Sequence, residues 1–440
     1  MTIACPNCGT LEDIPALPPR STAVCIRCTG SLEKTSGRSI VAALACSLAT
    51  FLLLFPVNIL PLLRVNLFGL HSENVIAAGV FQLWDRGWIW LAGLSAVFVV
   101  ILPFLRFGLL STVLGALRLG RRPSWLGSAF RWAMWLDPWA MIDVFLLAAC
   151  VGYYRLSNVS QAHLTIEIGG QCFIAAALLT MLSRATLDQR TVWRAIGGET
   201  HVDPAPPGEP TASHEPTGSG EPTASRDSIA AGDPLMGCLT CDLVQPLSRE
   251  GEPCPRCGAK LRARKPDAMA WTAALIATAF ILIFPANIYP MNLTNQLGTQ
   301  VGYTIMTGVR DLFQQGLWSL GCLVFCTSIL TPGVKILAIG WCVLSVWCRS
   351  DRHLIARTKV LRIVAEWGRW SKTDPFAIVF FVPLMNFGAL GSDSAGWGAT
   401  AFVVMTFLTM VTSVTFDPRV MWDAAERRSR RAGHDDRLAQ

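Results

Sequence analysis

Four Cys-x-x-Cys pairs are the residues of this 440-residue chain best suited to chemistry. Cys5 and Cys8 are followed by Cys25 and Cys28; Cys238 and Cys241 are followed by Cys254 and Cys257. Two such pairs a dozen or more residues apart can offer four thiolates to one ion in a tetrahedron, the zinc-ribbon arrangement. Gly9 and Gly258, each directly after the second Cys of a pair, suit a knuckle turn whose backbone N–H groups point at sulfur. Disulfides or a redox pair are the competing readings. A redox motif usually comes once, in a strand–helix setting, and here there are two quartets. The spacing therefore predicts two structural Zn²⁺ sites, and reduced thiolates imply a cytosolic face. The other seven of the 15 cysteines (Cys46, Cys150, Cys172, Cys322, Cys326, Cys342, Cys348) lie in or beside apolar runs and read as small buried hydrophobes.

Charges inside apolar runs form the second group, since an ionisable group in lipid is costly and a functional candidate by default. Lys335 is the only charge between Trp318 and Trp347 and follows the Thr331-Pro332-Gly333 break. Pro332 cannot donate its backbone hydrogen bond and is expected to kink the helix and free a carbonyl. Arg106 after Pro103 is its counterpart earlier in the chain. At ~1.5 Å per residue Lys335 lies about 25 Å from the far end of its run, so a functional role and snorkelling to the near interface both stand. Asp143 and Asp188 are the acidic candidates, repeated as Asp374 and Asp417. Asp188 and Asp417 stand beside Arg190 and Arg419, where a local ion pair is the alternative. Asp143 and Asp374 open helices, a favourable place for an acid in any case. Hydroxyls of Ser328, Ser371 and Thr409 could complete a polar chain with Lys335, or serve only helix packing. A carboxylate, a buried amine and hydroxyls would together suit proton relay, because burial moves both kinds of pKa toward neutrality. No nucleophile elbow, His-Glu-x-x-His or phosphate loop is present, and the 6 histidines are scattered, so a non-enzymatic role is expected.

The elements that must position these groups are membrane helices. Hydrophobic residues make up 52% of the chain and charged residues 15%, against ~25% in soluble proteins. Mean hydropathy is +0.42, and the apolar residues gather in eight runs that one water-soluble core cannot hide. The net charge of +7 sits between those runs rather than on one face, which favours membrane topology and excludes a nucleic-acid footprint. Spans are predicted near 40–62, 88–117, 138–156, 168–187, 270–291, 317–347, 376–391 and 397–416. The chain is also written twice. Phe55-Pro-Val-Asn-Ile-Leu-Pro61 recurs as Phe284-Pro-Ala-Asn-Ile-Tyr-Pro290, a shift of 229 that also carries Cys25 and Cys28 onto Cys254 and Cys257. Trp139-x-x-x-Asp143 maps onto Trp370-x-x-x-Asp374 at 231. In the Phe-Pro-x-Asn-Ile-x-Pro motif, Asn58 and Asn287 are expected to bond backbone groups near the prolines, a structural role.

Lysine and arginine orient the bundle. Arg118, Arg121, Arg122 and Arg131 lie between spans two and three, and 7 basic residues between Arg349 and Lys372 fill the matching loop. The 157–167 loop has none, and the 292–316 loop only Arg310. Both termini and both ribbons are thus predicted to be cytoplasmic, in two parallel repeats. Knuckles preceding the first apolar run exclude an N-terminal signal peptide. The expected fold class is an all-α polytopic membrane protein: two tandem four-helix transmembrane modules, each preceded by a small cytosolic zinc ribbon. The divisions are ribbon 1 (1–38), module 1 (39–196), linker (197–236), ribbon 2 (237–266), module 2 (267–422) and basic tail (423–440). The linker is rich in Pro, Gly, Ser, Thr and Glu, too polar to order itself.

Twin Cys-x-x-Cys ribbons, each leading into a four-span module with Phe-Pro-x-Asn-Ile-x-Pro, resemble the paraquat-inducible protein A family over nearly the whole chain. The resemblance implies a bacterial inner-membrane protein that works with a mammalian-cell-entry (MCE) domain protein, whose stacked rings form a periplasmic tunnel for phospholipid. It implies loading or extraction of lipid, possibly proton-driven, and modules similar to the tetraspanin-like calcium-channel gamma subunits. By similarity, a transport polar network falls on Asp188, Ser328, Lys335, Ser371 and Thr409, with Arg106, Asp143 and Asp374 as secondary candidates. The long linker departs from the family pattern and argues against tight coupling of the two ribbons. The rival functions are a proton-coupled transporter of a small hydrophobic solute and a zinc-thiolate redox or stress sensor.

Overall fold

The computed structural model describes residues 2–14, 18, 21–34, 40–67, 70–85, 89–157, 163–197, 235–296, 299–348, 350, 353–367 and 392–427. The chain is a multi-pass membrane protein, mostly helical, built from two copies of one plan. Each copy begins with paired short strands around the knuckles: β1 (Thr2–Ala4) with β2 (Leu11–Asp13) and β3 (Thr22–Val24) with β4 (Ser31–Lys34) in the first, β8 (Leu235–Gly237) with β9 (Val244–Pro246) in the second.

Six described helical runs are long and apolar enough to cross a bilayer. In module 1 these are α1 (Ile40–Ile59), the run ending in α4 (Leu102–Arg118) and α7 (Ile168–Thr186). In module 2 they are α9 (Ala268–Ile288), the run ending in α12 (Thr331–Trp347) and α14 (Trp397–Thr415). Module 1 also contains α5 (Leu126–Leu136) and α6 (Ile142–Ser157), the latter at 16 residues shorter than a usual span. The expected span at 376–391, with Ser371 and Asp374, lies outside the described residues, as do most of the linker and the end of the tail.

A π-helical turn precedes the proline near the middle of each second span. A π-helical segment, Ala96–Ile101 before Pro103 and Cys326–Leu330 before Pro332, leads straight into the following α-helix. Its wider turn pairs Leu102 N–H with Val97 O and Thr331 N–H with Cys326 O, five residues back, at the break expected from the prolines. Asn58 and Asn287 donate to Leu54 O and Ile283 O at 2.8 and 2.7 Å, one turn back in helices that carry Pro56 and Pro285 inside.

The segments read from sequence as loops hold structure. Antiparallel β6-β5-β7 (Leu70–Asn74, Leu63–Leu67, His163–Ile166) joins the two connections of module 1. The same order, β11-β10-β12 (Thr299–Tyr303, Asn292–Gln296, Ser392–Ala395), recurs in module 2. Each sheet is followed by a short amphipathic helix, α2 (Ile76–Asp85) or α10 (Ile305–Gln314). Small residues let the fourth span start against the end of the first: a Cβ on Gly169 would lie 2.6 Å from the carbonyl oxygens of Leu60 and Pro61. The modules share core. Leu83 and Ala92 of the first pack with Ile305, Ile336 and Phe402 of the second, and Met410 enters the core of the first.

The two ribbons are coupled directly, despite the long linker between them. A Cβ on Gly237 would come within 2.6 Å of Ala4 Cβ, and Arg264, leaving ribbon 2, passes beside Gly9 of ribbon 1. Linker length governs only how the chain connects the ribbons; side-chain packing decides where they rest.

Candidate metal centres and interior charge clusters

Each cysteine quartet converges on one point. Sγ atoms are 3.5 Å apart for Cys5–Cys28 and 3.6 Å for Cys8–Cys25. In the second quartet Cys238–Cys257 is 3.7 Å and Cys241–Cys254 is 3.6 Å. Within each quartet all four sulfurs lie inside 4.8 Å of one another, buried and without disulfides. A tetrahedron with Zn–S of ~2.3 Å has edges of about 3.8 Å, whereas a disulfide needs ~2.05 Å. The geometry therefore fits a tetrahedral thiophilic cation. The knuckles are built by backbone: Gly9 N–H donates to Cys5 O at 2.9 Å and Cys5 N–H to Thr10 O at 2.8 Å, repeated in the other three turns. The residue closing each turn is left-handed: Gly9 (φ 79°) and Gly258 (φ 67°), but also Thr29 and Asp242, both at 57°. Glycine is thus one solution to the turn, not a requirement. The packed thiols perturb one another: the hydrogen bond between them raises Cys5 and lowers Cys8. Four ionised sulfurs at this spacing need a positive ion among them.

Module 1 carries a closed charge cluster. Arg106, buried in α4, ion-pairs with Asp137 at the end of α5. Arg184 of α7 reaches the same carboxylate with Nε at 3.1 Å and pairs through Nη1 with Asp143, buried in the first turn of α6. Its Nη2 also donates to Asp137 O at 3.1 Å and Ala140 O at 3.2 Å. Arg184 thereby fastens the break between α5 and α6 to α7, a use that suits the planar guanidinium fork. Asp137 and Arg184 are not among the sequence candidates. Arg184 shows the same signal as Lys335, a lone charge in an apolar span; Asp137 shows none, since it lies beside Pro138 outside the apolar run.

Module 2 is different at the matching positions. Arg106 becomes Lys335, Asp137 becomes Gly368 and Arg184 becomes Ser413. Lys335 is only 3% exposed, so it is enclosed rather than extended to the surface, and among the described residues it has no hydrogen bond or ion pair. Three buried hydroxyls, Thr272, Ser328 and Thr406, likewise lack partners among the described residues. They stand where module 1 has Ala43, Val99 and Ala177. Thr409 is buried and donates to Thr406 O at 2.9 Å. No hydrogen bond joins Lys335, Ser328 and Thr409 to one another among the described residues. Asp188 lies elsewhere: its carboxylate accepts from Arg190 N–H (3.2 Å), Thr191 N–H (3.4 Å) and Thr191 Oγ1 (2.9 Å), capping helix α8 (Gln189–Gly197). Asp417 does the same for the helix at 419–427, accepting from Arg419 N–H at 3.1 Å.

Fold and sites together define a class: a two-module membrane protein with a thiol quartet attached to each module and charges enclosed between its helices. The chain belongs to the paraquat-inducible protein A family, whose pattern matches residues 40–197 and 269–426, once per module. It is 28% identical to the intermembrane transport protein PqiA of Escherichia coli, over 96% of this chain and 95% of that one. The lipophilic envelope-spanning tunnel protein A of the same organism is 27% identical, over 96% and 91%. A probable intermembrane transport protein of Haemophilus influenzae is 24% identical, over 97% and 96%. No solved structure matches.

Proposed function

We propose that this chain is the inner-membrane subunit of an intermembrane lipid transport system, passing phospholipid to or from a periplasmic tunnel partner built of MCE domains. Relatives matching almost end to end are named for intermembrane transport and for a lipophilic envelope-spanning tunnel. The observation that carries the reading is the enclosed polarity of module 2. Among the described residues, the Lys335 amine and the hydroxyls of Thr272, Ser328 and Thr406 find no partner inside this membrane module; such groups are costly to keep, and a phosphate-bearing headgroup would satisfy them. In this reading Lys335, Ser328 and Thr409 meet the cargo, while Asp188 shapes the helix end that borders the ribbon. Proton movement would act on the same groups. The thiol quartets hold two structural Zn²⁺ ions through Cys5, Cys8, Cys25 and Cys28 and through Cys238, Cys241, Cys254 and Cys257. Ribbons and termini face the cytosol, as the excess of arginine on that side favours.

The test is to purify the chain in detergent and extract what comes with it. Phospholipid retained at a fixed ratio to protein, and lost in Lys335→Met at equal protein yield, is expected. Equal lipid at detergent background in both would overturn the lipid reading, and proton-linked flux of a small solute in vesicles would replace it.

A further inference from the structure

Each ribbon docks on the module of the other half. Ribbon 2 shares its core with Leu126, Phe130 and Trp193 of module 1, and ribbon 1 packs on Trp422, the last residue of module 2. The contacts are reciprocal. Arg131 of α5 donates through Nη1 to Cys257 O at 3.1 Å. Its repeat counterpart, Arg362 of α13 (Leu354–Trp367), donates through Nη2 to Cys28 O and through Nη1 to Thr29 O, both at 3.0 Å. Cys28 and Cys257 are themselves repeat counterparts, each the last cysteine of its quartet. A second pair of arginines repeats the crossing: Arg190 meets Asp242 of ribbon 2 at 3.5 Å, and Arg419 donates to Pro6 O of ribbon 1 at 3.2 Å.

We propose that Arg131 and Arg362 are reciprocal positioning residues through which the metal centre of each half holds the ribbon-side end of the opposite module. The inference rests on reading the quartets as metal centres. The chemistry is that of an outer-shell contact. A loaded quartet fixes the backbone of its last knuckle, so the Cys28 and Cys257 carbonyls become rigid acceptors. A guanidinium held by such a carbonyl fixes in turn the helix that carries it. Arg362 sits on the helix following α12, the span that contains Lys335; Arg131 sits on α5, whose end supplies Asp137 to the module 1 charge cluster. Ribbon 1, although it leads into module 1, thereby governs the helix end below Lys335, and ribbon 2 governs the segment bearing Asp137. Two identical half-chains trading ribbons would show the same pattern, so the crossing also makes neither half complete alone.

Hydrogen–deuterium exchange on the purified full chain, resolved by peptide, tests this. Metal content is measured alongside. Cys25→Ser with Cys28→Ser is expected to speed exchange at 353–367 while leaving 126–136 at its normal rate, and Cys254→Ser with Cys257→Ser to do the opposite. Arg362→Gln, which keeps every metal ligand, should speed exchange at 353–367 about tenfold, the effect of losing charge-assisted hydrogen bonds. It should also hasten metal release to a chromogenic chelator from one site only, with partial rescue in Arg362→Lys. Acceleration in the module each ribbon precedes, equal acceleration in both, or none in either would overturn the proposal. If the wild-type chain carries no metal, the metal reading fails by that measurement, and the Arg362→Gln and Arg131→Gln exchange patterns still decide whether the arginines act across the halves.

Discussion

Replacing Arg184 with methionine removes the centre of the module 1 cluster while keeping an unbranched side chain in place. Four contacts vanish: Nε to Asp137 and Nη2 to two backbone oxygens at 3.1–3.2 Å, and Nη1 to Asp143. Asp137 keeps Arg106 and is partly exposed, so its loss is modest. Asp143 is 5% exposed and loses its only cationic partner among the described residues, which leaves a buried uncompensated carboxylate. Breaking a buried pair in this way costs about 3–5 kcal/mol, a large part of the ~5–15 kcal/mol that holds a typical domain together. Arg184→Met combined with Asp143→Asn takes away the stranded charge and should restore most of the loss, as a double-mutant cycle would register. Unfolding of the detergent-solubilised chain, followed through tryptophan fluorescence, provides the readout. Lys335→Met, in contrast, removes an amine that has no partner among the described residues and should leave stability within about 1 kcal/mol or raise it. The reasoning is refuted if Arg184→Met unfolds like wild type, or if the double variant is no more stable than the single one.

Three further outcomes follow from the same geometry. Stripping the quartets with a thiol-directed mercurial and chelator should release two equivalents of metal per chain and loosen the ribbons, as measured by chelator absorbance and limited proteolysis; release of none would remove the tetrahedral sites. Gly169→Ala forces a methyl against two carbonyl oxygens 2.6 Å away and should cost about 1–3 kcal/mol of stability, whereas Gly115→Ala, which meets nothing within 4 Å, should be tolerated. Burial holds Lys265, just before α9, below the ordinary lysine value of 10.5. The unfolded chain then binds the proton more tightly, so stability should rise with pH between the lowered folded value and 10.5, and Lys265→Met should flatten that rise in unfolding midpoints taken across the window.

What the sequence disclosed was local or repeated. Cysteines with two residues between them announce a knuckle because the turn that joins them is made within six residues. The duplication is plain because Pro, Asn, Trp and Asp recur at fixed spacing. The sheets were less legible. Leu63-Arg64-Val65-Asn66-Leu67 alternates, but Asn292–Gln296 is mostly polar, and the third strand of each sheet comes only after the second span of its module. The family resemblance puts Asp188 in a polar network, with a local ion pair to Arg190 as the alternative. An aspartate followed by Gln-Arg-Thr at a helix start is also an N-cap, and the backbone N–H groups of Arg190 and Thr191 take it. The crossing of ribbons had no local signal at all, since nothing near Arg131 in the chain points to Cys257. Nor did the pairing of Arg106 with Asp137, which depends on α5 folding back along α4.

The central claim is that the enclosed polar groups of module 2 meet lipid, and a photoreactive phospholipid tests it most directly. Irradiated with the reconstituted chain and mapped by peptide mass spectrometry, the headgroup-labelled probe should mark peptides carrying Ser328, Lys335, Thr406 and Thr409, and the marking should fall in Lys335→Met. Labelling confined to the outward residues of the spans, equal in both modules and unchanged by Lys335→Met, would contradict it.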